Sequence, residues 1–141
     1  MRPGPDSGWL DANVIVRYLV GRPDADWRDA AALMTRAHQG LLSLHVHPVT
    51  LAEVVWVLEK AYRVPRPEVA RLVEALVLSE GVWCEDRDVV TAALDDYSSG
   101  PADFPDVFLA RKAAGSAAPL CYTFDRKHFG HLGASARRPG P

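Results

Sequence analysis

The sequence is short of cysteine, of net charge and of long apolar runs, and each shortage removes a class of protein. Two cysteines, Cys84 and Cys121, supply neither a disulfide framework nor a CxxC metal pair. They read as small buried thiols in a reducing compartment. Sixteen Lys and Arg against 18 Asp and Glu give a net charge of −2, without the overall basicity that marks non-specific nucleic-acid binding. No run of about 18 apolar residues occurs, and "MRPGPDSGW" contains no apolar signal core. A cytoplasmic protein with no membrane segment is therefore expected. A Gly-rich phosphate loop, a G-x-S-x-G elbow and an H-E-x-x-H helix are also missing, so Ser and Cys nucleophiles have no recognisable setting.

What is present is an ordinary globular composition, 48% hydrophobic and 24% charged in 141 residues, enough for one domain with a real core. Pro-, Gly- and Ser-rich stretches at the two ends predict flexible tails over 1–8 and 131–141, leaving a domain over 9–130. Between them, β-rich stretches alternate with helical ones. "ANVIVRYLVG" predicts a short helix closed by Gly21. "DADWRDAAALMTRAHQG" predicts an amphipathic helix with Trp27, Ala31, Met34 and His38 near one face. "LLSLHVHPV" reads as a strand. "TLAEVVWVLEKAYR" reads as a helix opened by a Thr50–Glu53 capping box, and "PRPEVARLVEALVLSEG" as another. A strand at "VWCED", helices at "RDVVTAALDDYSSG" and "DFPDVFLARKAAG", and a strand at "PLCYTFD" complete the order. The alternation predicts an α/β fold with a mainly parallel sheet.

Chemistry in such sheets gathers where strands end. Asp11 and Asp125 close apolar runs at such ends, and Glu53 and Asp106 are expected in the first turns of helices. Each has an ordinary explanation: Asp11 and Asp103 as N-caps, Asp106 as a dipole partner, Glu53 as half of the capping box, Asp125 as a turn residue. As a set they would repel one another by a few kcal/mol per close pair at an effective dielectric near ~20, and would need protons or a cation. Oxygen-only ligands suit Mg²⁺ or Mn²⁺, and carboxylate-held metals commonly serve phosphodiester hydrolysis. "HVHP" offers His45 and His47 on one strand face, but no third ligand stands at useful spacing.

These stretches resemble those of the PIN-domain ribonucleases, in particular VapC-type toxins of toxin–antitoxin systems. "LDANVIVRYL" is similar to that family's opening D-x-N motif, and "TLAEVVWVLEKAYRVPRPEV" to the segment with its central Glu. "DFPDVFLARKA" resembles the D-F-x-D-x-x-x-A motif, and "YTFDRKHF" the closing T-F-D-x-x-F. The four occur in order from about Trp9 to Phe129. The resemblance implies an α/β/α sandwich and a magnesium-dependent endoribonuclease (Mn²⁺ as an alternative), together with a cognate antitoxin and a homodimer. It implies metal ligands at Asp11, Asp106 and Asp125, with Glu53 completing the catalytic acids, and supporting roles for Asn13, Asp103 and Thr123. The lead-in to Asp11 is shorter and richer in Pro and Gly than the family's first strand.

Basic residues near the motifs, Arg17, Arg22, Arg111, Lys112, Arg126, Lys127 and His128, are candidate phosphate contacts. Arg126 and Lys127, beside Asp125, are the strongest. Two alternatives stay open: a non-catalytic PIN-like module that binds RNA or protein, and another carboxylate-metal phosphohydrolase. A phosphatase of doubly wound fold would open with D-x-D, where this chain has Asp11-Ala12-Asn13.

Overall fold

A computed structural model describes residues 6–125, 127, 129 and 135–141. The chain forms two compact units, Met1–Asp86 and Arg87–Pro141. In the first, β1 (Asp6–Trp9) is followed by helices α1 (Ala12–Val20) and α2 (Ala25–His38). Then come β2 (Leu42–Val46), helices α3 (Pro48–Lys60) and α4 (Arg66–Val77), and β3 (Val82–Cys84). The strands form one parallel sheet in the order β1-β2-β3. Helix α2 packs on β2 and α4 on β3, and along β2 one face is turned to the core. That face carries Leu42, Leu44 and Val46, all buried, with Ser43 and His45 alternating between them. Opposite them, His45 aligns with Trp9 on β1 and Trp83 on β3, and the Trp9 and His45 rings sit 5.1 Å apart.

The second unit holds α5 (Arg87–Ser99), α6 (Phe104–Ala114), β4 (Leu120–Tyr122) and β5 (Ser135–Arg137). β4 and β5 pair in parallel, and α5 packs on α6. Ala110, Ala113, Cys121 and Phe129 form a buried cluster there, flanked by Ala136.

The α/β class and the parallel strands agree with the sequence, and six predicted helices are present. Several details differ. Parallel strand occupies part of both stretches expected to be tails, since β1 starts at Asp6 and β5 spans Ser135–Arg137. A ladder is built from backbone N–H and C=O groups, so "DSGW" and "SAR" can pair without an apolar alternation. The buried stripe of α2 is Ala30, Met34 and Ala37, one position away from the expected one. Trp27 is half-buried beside this stripe and His38 is exposed. Leu72 of α4 is only half-buried, and Ala70 takes its place in the core. Cys121 is buried as expected, but Cys84 is not fully buried.

Caps fix the helix ends. Asp24 accepts from the Trp27 N–H at 2.9 Å and opens α2. Gly21, at φ 75, closes α1 and donates to the Arg17 carbonyl. A tighter constraint lies before β3. Gly81 has φ +81, and a Cβ built there would stand 2.3 Å from the Ala37 carbonyl oxygen and 2.7 Å from its carbon, at the end of α2. Gly40 has a similar φ of +77 but open space around it. Gly40→Ala is therefore expected to cost only the left-handed strain, about 1–2 kcal/mol. Gly81→Ala adds a backbone collision and should cost clearly more, about 3 kcal/mol or above. Urea midpoints of the two variants check this ranking; equal losses would show that the α2–β3 approach has slack.

Candidate active site

The sequence-marked acids divide between the units. Asp11, Asn13 and Glu53 lie in Met1–Asp86; Asp103, Asp106, Thr123, Asp125 and Lys127 lie in Arg87–Pro141. Arg126 and His128 fall outside the described residues.

In the first unit, β1 runs through Trp9, and Leu10, buried, extends the pairing by donating to the His45 carbonyl at 2.9 Å. Asp11 follows at once, exposed, as the N-cap of α1; its Oδ1 accepts from the Ala12 N–H at 2.7 Å. The expected capping role is thus real, and it occupies one carboxylate oxygen. Asn13 is exposed one turn-fraction further on α1. It lines an open groove of about 490 Å³ between α1 and α2, with Arg17, Asp26 and Leu33 among the other walls.

Glu53 requires a correction. The helix that carries it starts at Pro48, not at Thr50, and its N-cap is His47, whose Nδ1 accepts from the Val49 N–H at 3.0 Å. Thr50 is then the third helical residue and Glu53 the sixth, so there is no Thr50–Glu53 capping box and Glu53 lies in the second turn. Pro48 was the overlooked signal: proline favours the first helical position, where its missing N–H costs nothing. The same start takes His47 out of the strand. The His45–His47 face is therefore replaced by two separate contacts, His45 against Trp9 and His47 Nε2 against Glu85 Oε2 at 3.2 Å. Helices α1 and α3 pack against each other, which sets Asp11 and Glu53 on neighbouring helices.

Glu53 belongs to a surface the sequence did not distinguish from core. Along α3, Pro48, Leu51, Val54, Val55 and Leu58 are buried, while Val49, Glu53, Trp56 and Lys60 are exposed. Trp56 is 62% exposed and Val49 72%. Tyr62 and Leu78 are exposed as well. The distinguishing signal is spacing: positions 49, 53, 56 and 60 share one helical face.

In the second unit, Asp106 is half-buried in the first turn of α6, as expected. Asp103 occupies the N-cap position with extended backbone (φ −76, ψ 159), yet its side chain makes no capping hydrogen bond to the helix. The capping explanation of this carboxylate therefore fails. Asp103 and Asp106 stand three residues apart across the helix start, and the Asp106 N–H donates to the Asp103 carbonyl at 3.1 Å. Beyond β4, the Asp125 N–H donates to Thr123 Oγ1 at 2.9 Å, a small turn that turns the backbone out of the strand. Thr123 thus has a structural task. Asp125 and Lys127 are exposed. Helix α6 packs on β4.

Several candidate phosphate contacts already have partners. Arg17 pairs with Asp26 at 3.1 Å, and the Arg22 guanidinium lies 5.9 Å from the Tyr62 ring centre. Arg111 forms a two-pronged pair with Asp96, at 2.6 and 2.8 Å, tying α6 to α5. Those hydrogen bonds, aided by the Asp96 charge, raise the Arg111 pKa above its ordinary value. Within neither unit do three His, Cys, Asp or Glu side chains among the described residues stand close enough together to hold a metal ion.

A family model described as PIN domain matches residues 9–134. The chain belongs to the PIN-domain family. Its members are generally nucleases that act on RNA and typically use divalent metal ions, which makes this chain a hydrolase of nuclease type. No curated protein and no solved structure gives a match. No helix among the described residues is long and apolar enough to cross a membrane.

The Arg111–Asp96 strap gives a direct check on the assignment of basic residues. Arg111→Ala should lower stability by about 1 kcal/mol, the upper end for a partly exposed pair because the geometry is bidentate. Its affinity for single-stranded RNA should stay unchanged. Weaker RNA binding at unchanged stability would make Arg111 a phosphate contact instead.

Proposed function

We propose that this chain is a magnesium-dependent endoribonuclease and the toxin of a type II toxin–antitoxin pair, held in check by a cognate antitoxin and working as a homodimer. Mn²⁺ is the alternative metal. Support comes from family membership and from the four acid-bearing motifs in order. The observation that carries the reading is the PIN-domain match over residues 9–134, a span that takes in all four acid-bearing motifs.

The donor set fits the metal. Every candidate ligand is a carboxylate, with no thiolate or imidazole among them, and oxygen donors select a hard cation that keeps open positions for phosphate. Asp11, Asp106 and Asp125 would hold it, with Asp103 assisting. Bound there, the cation would clamp phosphate oxygens and lower the pKa of the attacking water. Glu53 would orient a water for in-line attack and take its proton as the new oxygen–phosphorus bond forms, while the ester oxygen opposite leaves and takes a proton from solvent. Asn13 and Thr123 steady the neighbouring carboxylates. Arg126 and Lys127 contact the flanking phosphates and position the strand without reading its sequence.

Asp11→Asn separates the two roles of Asp11. Asparagine caps a helix about as well as aspartate, so the melting temperature should stay within a degree or two of wild type, roughly the effect of a few tenths of a kcal/mol. The lost charge, however, should cut RNA cleavage by on the order of a thousandfold, as expected when several kcal/mol of transition-state stabilisation is lost. Asp106→Asn should behave alike, and EDTA should abolish wild-type cleavage. The readout is fragment formation from a mixed tRNA, rRNA and mRNA pool. Full cleavage by the folded variants would remove the carboxylates from the chemistry. Binding without any cleavage by wild type would favour a non-catalytic RNA-binding module.

A further inference from the structure

The exposed stripe of α3 has a composition that an outward helix face seldom carries. Such faces are normally polar, yet this one runs Val49, Glu53, Trp56, Lys60, with its two large apolar side chains 72% and 62% exposed. The stripe is continuous: every residue on it is exposed, and the opposite face, from Pro48 to Leu58, is buried. Its order is acid, indole ring, ammonium. Side chains at i and i+3 stand about 5–6 Å apart at Cβ, and Glu53 to Lys60 spans roughly 10 Å along the axis.

We propose that Trp56 is the base-stacking residue of the RNA site and that Lys60 contacts the next phosphate, so that α3 grips one nucleotide beside Glu53. This rests on the reading of Glu53 as a residue of a ribonuclease site. An indole face takes any base, because every base presents a π-surface. A ring one turn from the acid would hold the nucleotide adjacent to the scissile bond, restricting cleavage to strand segments whose bases can be unstacked. Lys60 supplies the charge complementarity. Its side chain is 52% exposed and lies 3.3 Å from Glu59, a half-buried carboxylate that Arg66 also neutralises. Glu59 also accepts from Arg66 Nε at 3.4 Å, so it keeps a cation when Lys60 turns to a phosphate. Val49, one turn back on the far side of Glu53, adds an apolar wall.

The test is binding of fluorescein-labelled oligo(A) and oligo(U) RNA of roughly ten nucleotides to the full chain in EDTA, where nothing is cut. Trp56→Ala should weaken binding to both by about 5- to 100-fold, with the salt dependence unchanged. Trp56→Phe should recover most of the loss. Lys60→Ala should reduce the slope of log K against log salt by about 0.7, the value for one phosphate contact on a single strand. Sedimentation of the same variants reads the competing role, contact with a second protein copy. Trp56→Ala with wild-type RNA affinity overturns the proposal, whether or not the oligomeric state changes, and so does failure of wild type to bind either oligonucleotide. Trp56-dependent binding by a protein that never cleaves supports the stacking role while removing the nuclease reading, so the two can fail separately.

Discussion

Parallel pairing of β1 with β2 and of β2 with β3 is the constraint on which the rest of the first unit depends. Parallel strands all end at the same edge, so whatever follows them is delivered there. Asp11 follows β1 by two residues, His47 follows β2 directly, and Glu85 follows β3 directly. The His47–Glu85 contact at 3.2 Å shows that edge being used to tie the start of α3 to the end of β3. The rotation of α3 follows from its apolar stripe: Leu51, Val54, Val55 and Leu58 are buried, so Glu53 and Trp56 face outward. The histidine cap fixes where α3 starts, and the apolar stripe decides which of its residues are open to chemistry.

Two kinds of charged contact occur here and do different work. Arg111–Asp96 joins two helices with good geometry and a partly buried carboxylate, and it belongs to the architecture. Arg17–Asp26 is an exposed pair, worth at most about 1 kcal/mol and easily exchanged for another partner, and in Lys60–Glu59 the exposed lysine shares a half-buried carboxylate with Arg66. The distinction matters for a protein with net charge −2 that handles a polyanion. Its cations cannot act through bulk field, so those near the motifs count individually, and those committed to structure drop out.

The elements were largely legible in the sequence because apolar period and end signals agreed: Asp24 and Gly21 mark helix ends, and Leu42, Leu44 and Val46 mark a strand. The start of α3 was misread because Thr50 and Glu53 satisfy a capping pattern by spacing alone, whereas proline at the first helical position and a histidine cap overrode it. β1 and β5 were read as tails because parallel pairing is a backbone property, and "DSGW" and "SAR" give it no side-chain signature. In the candidate site, the motifs identify which acids to consider, but not whether each acts as cap or ligand. An aspartate where a strand passes into a helix fits either role, and Asp11 is seen here as a cap.

The central claim is that these carboxylates hold a divalent cation. Calorimetric titration of Mn²⁺ into wild type, Asp11→Asn and Asp24→Asn tests it without reference to any substrate. Both asparagines preserve an N-cap, on α1 and α2 respectively, so loss of folding does not confound the comparison. The account predicts binding in wild type and Asp24→Asn and at least about tenfold weaker binding in Asp11→Asn. Equal affinity in all three, or no binding by folded wild type, would contradict it.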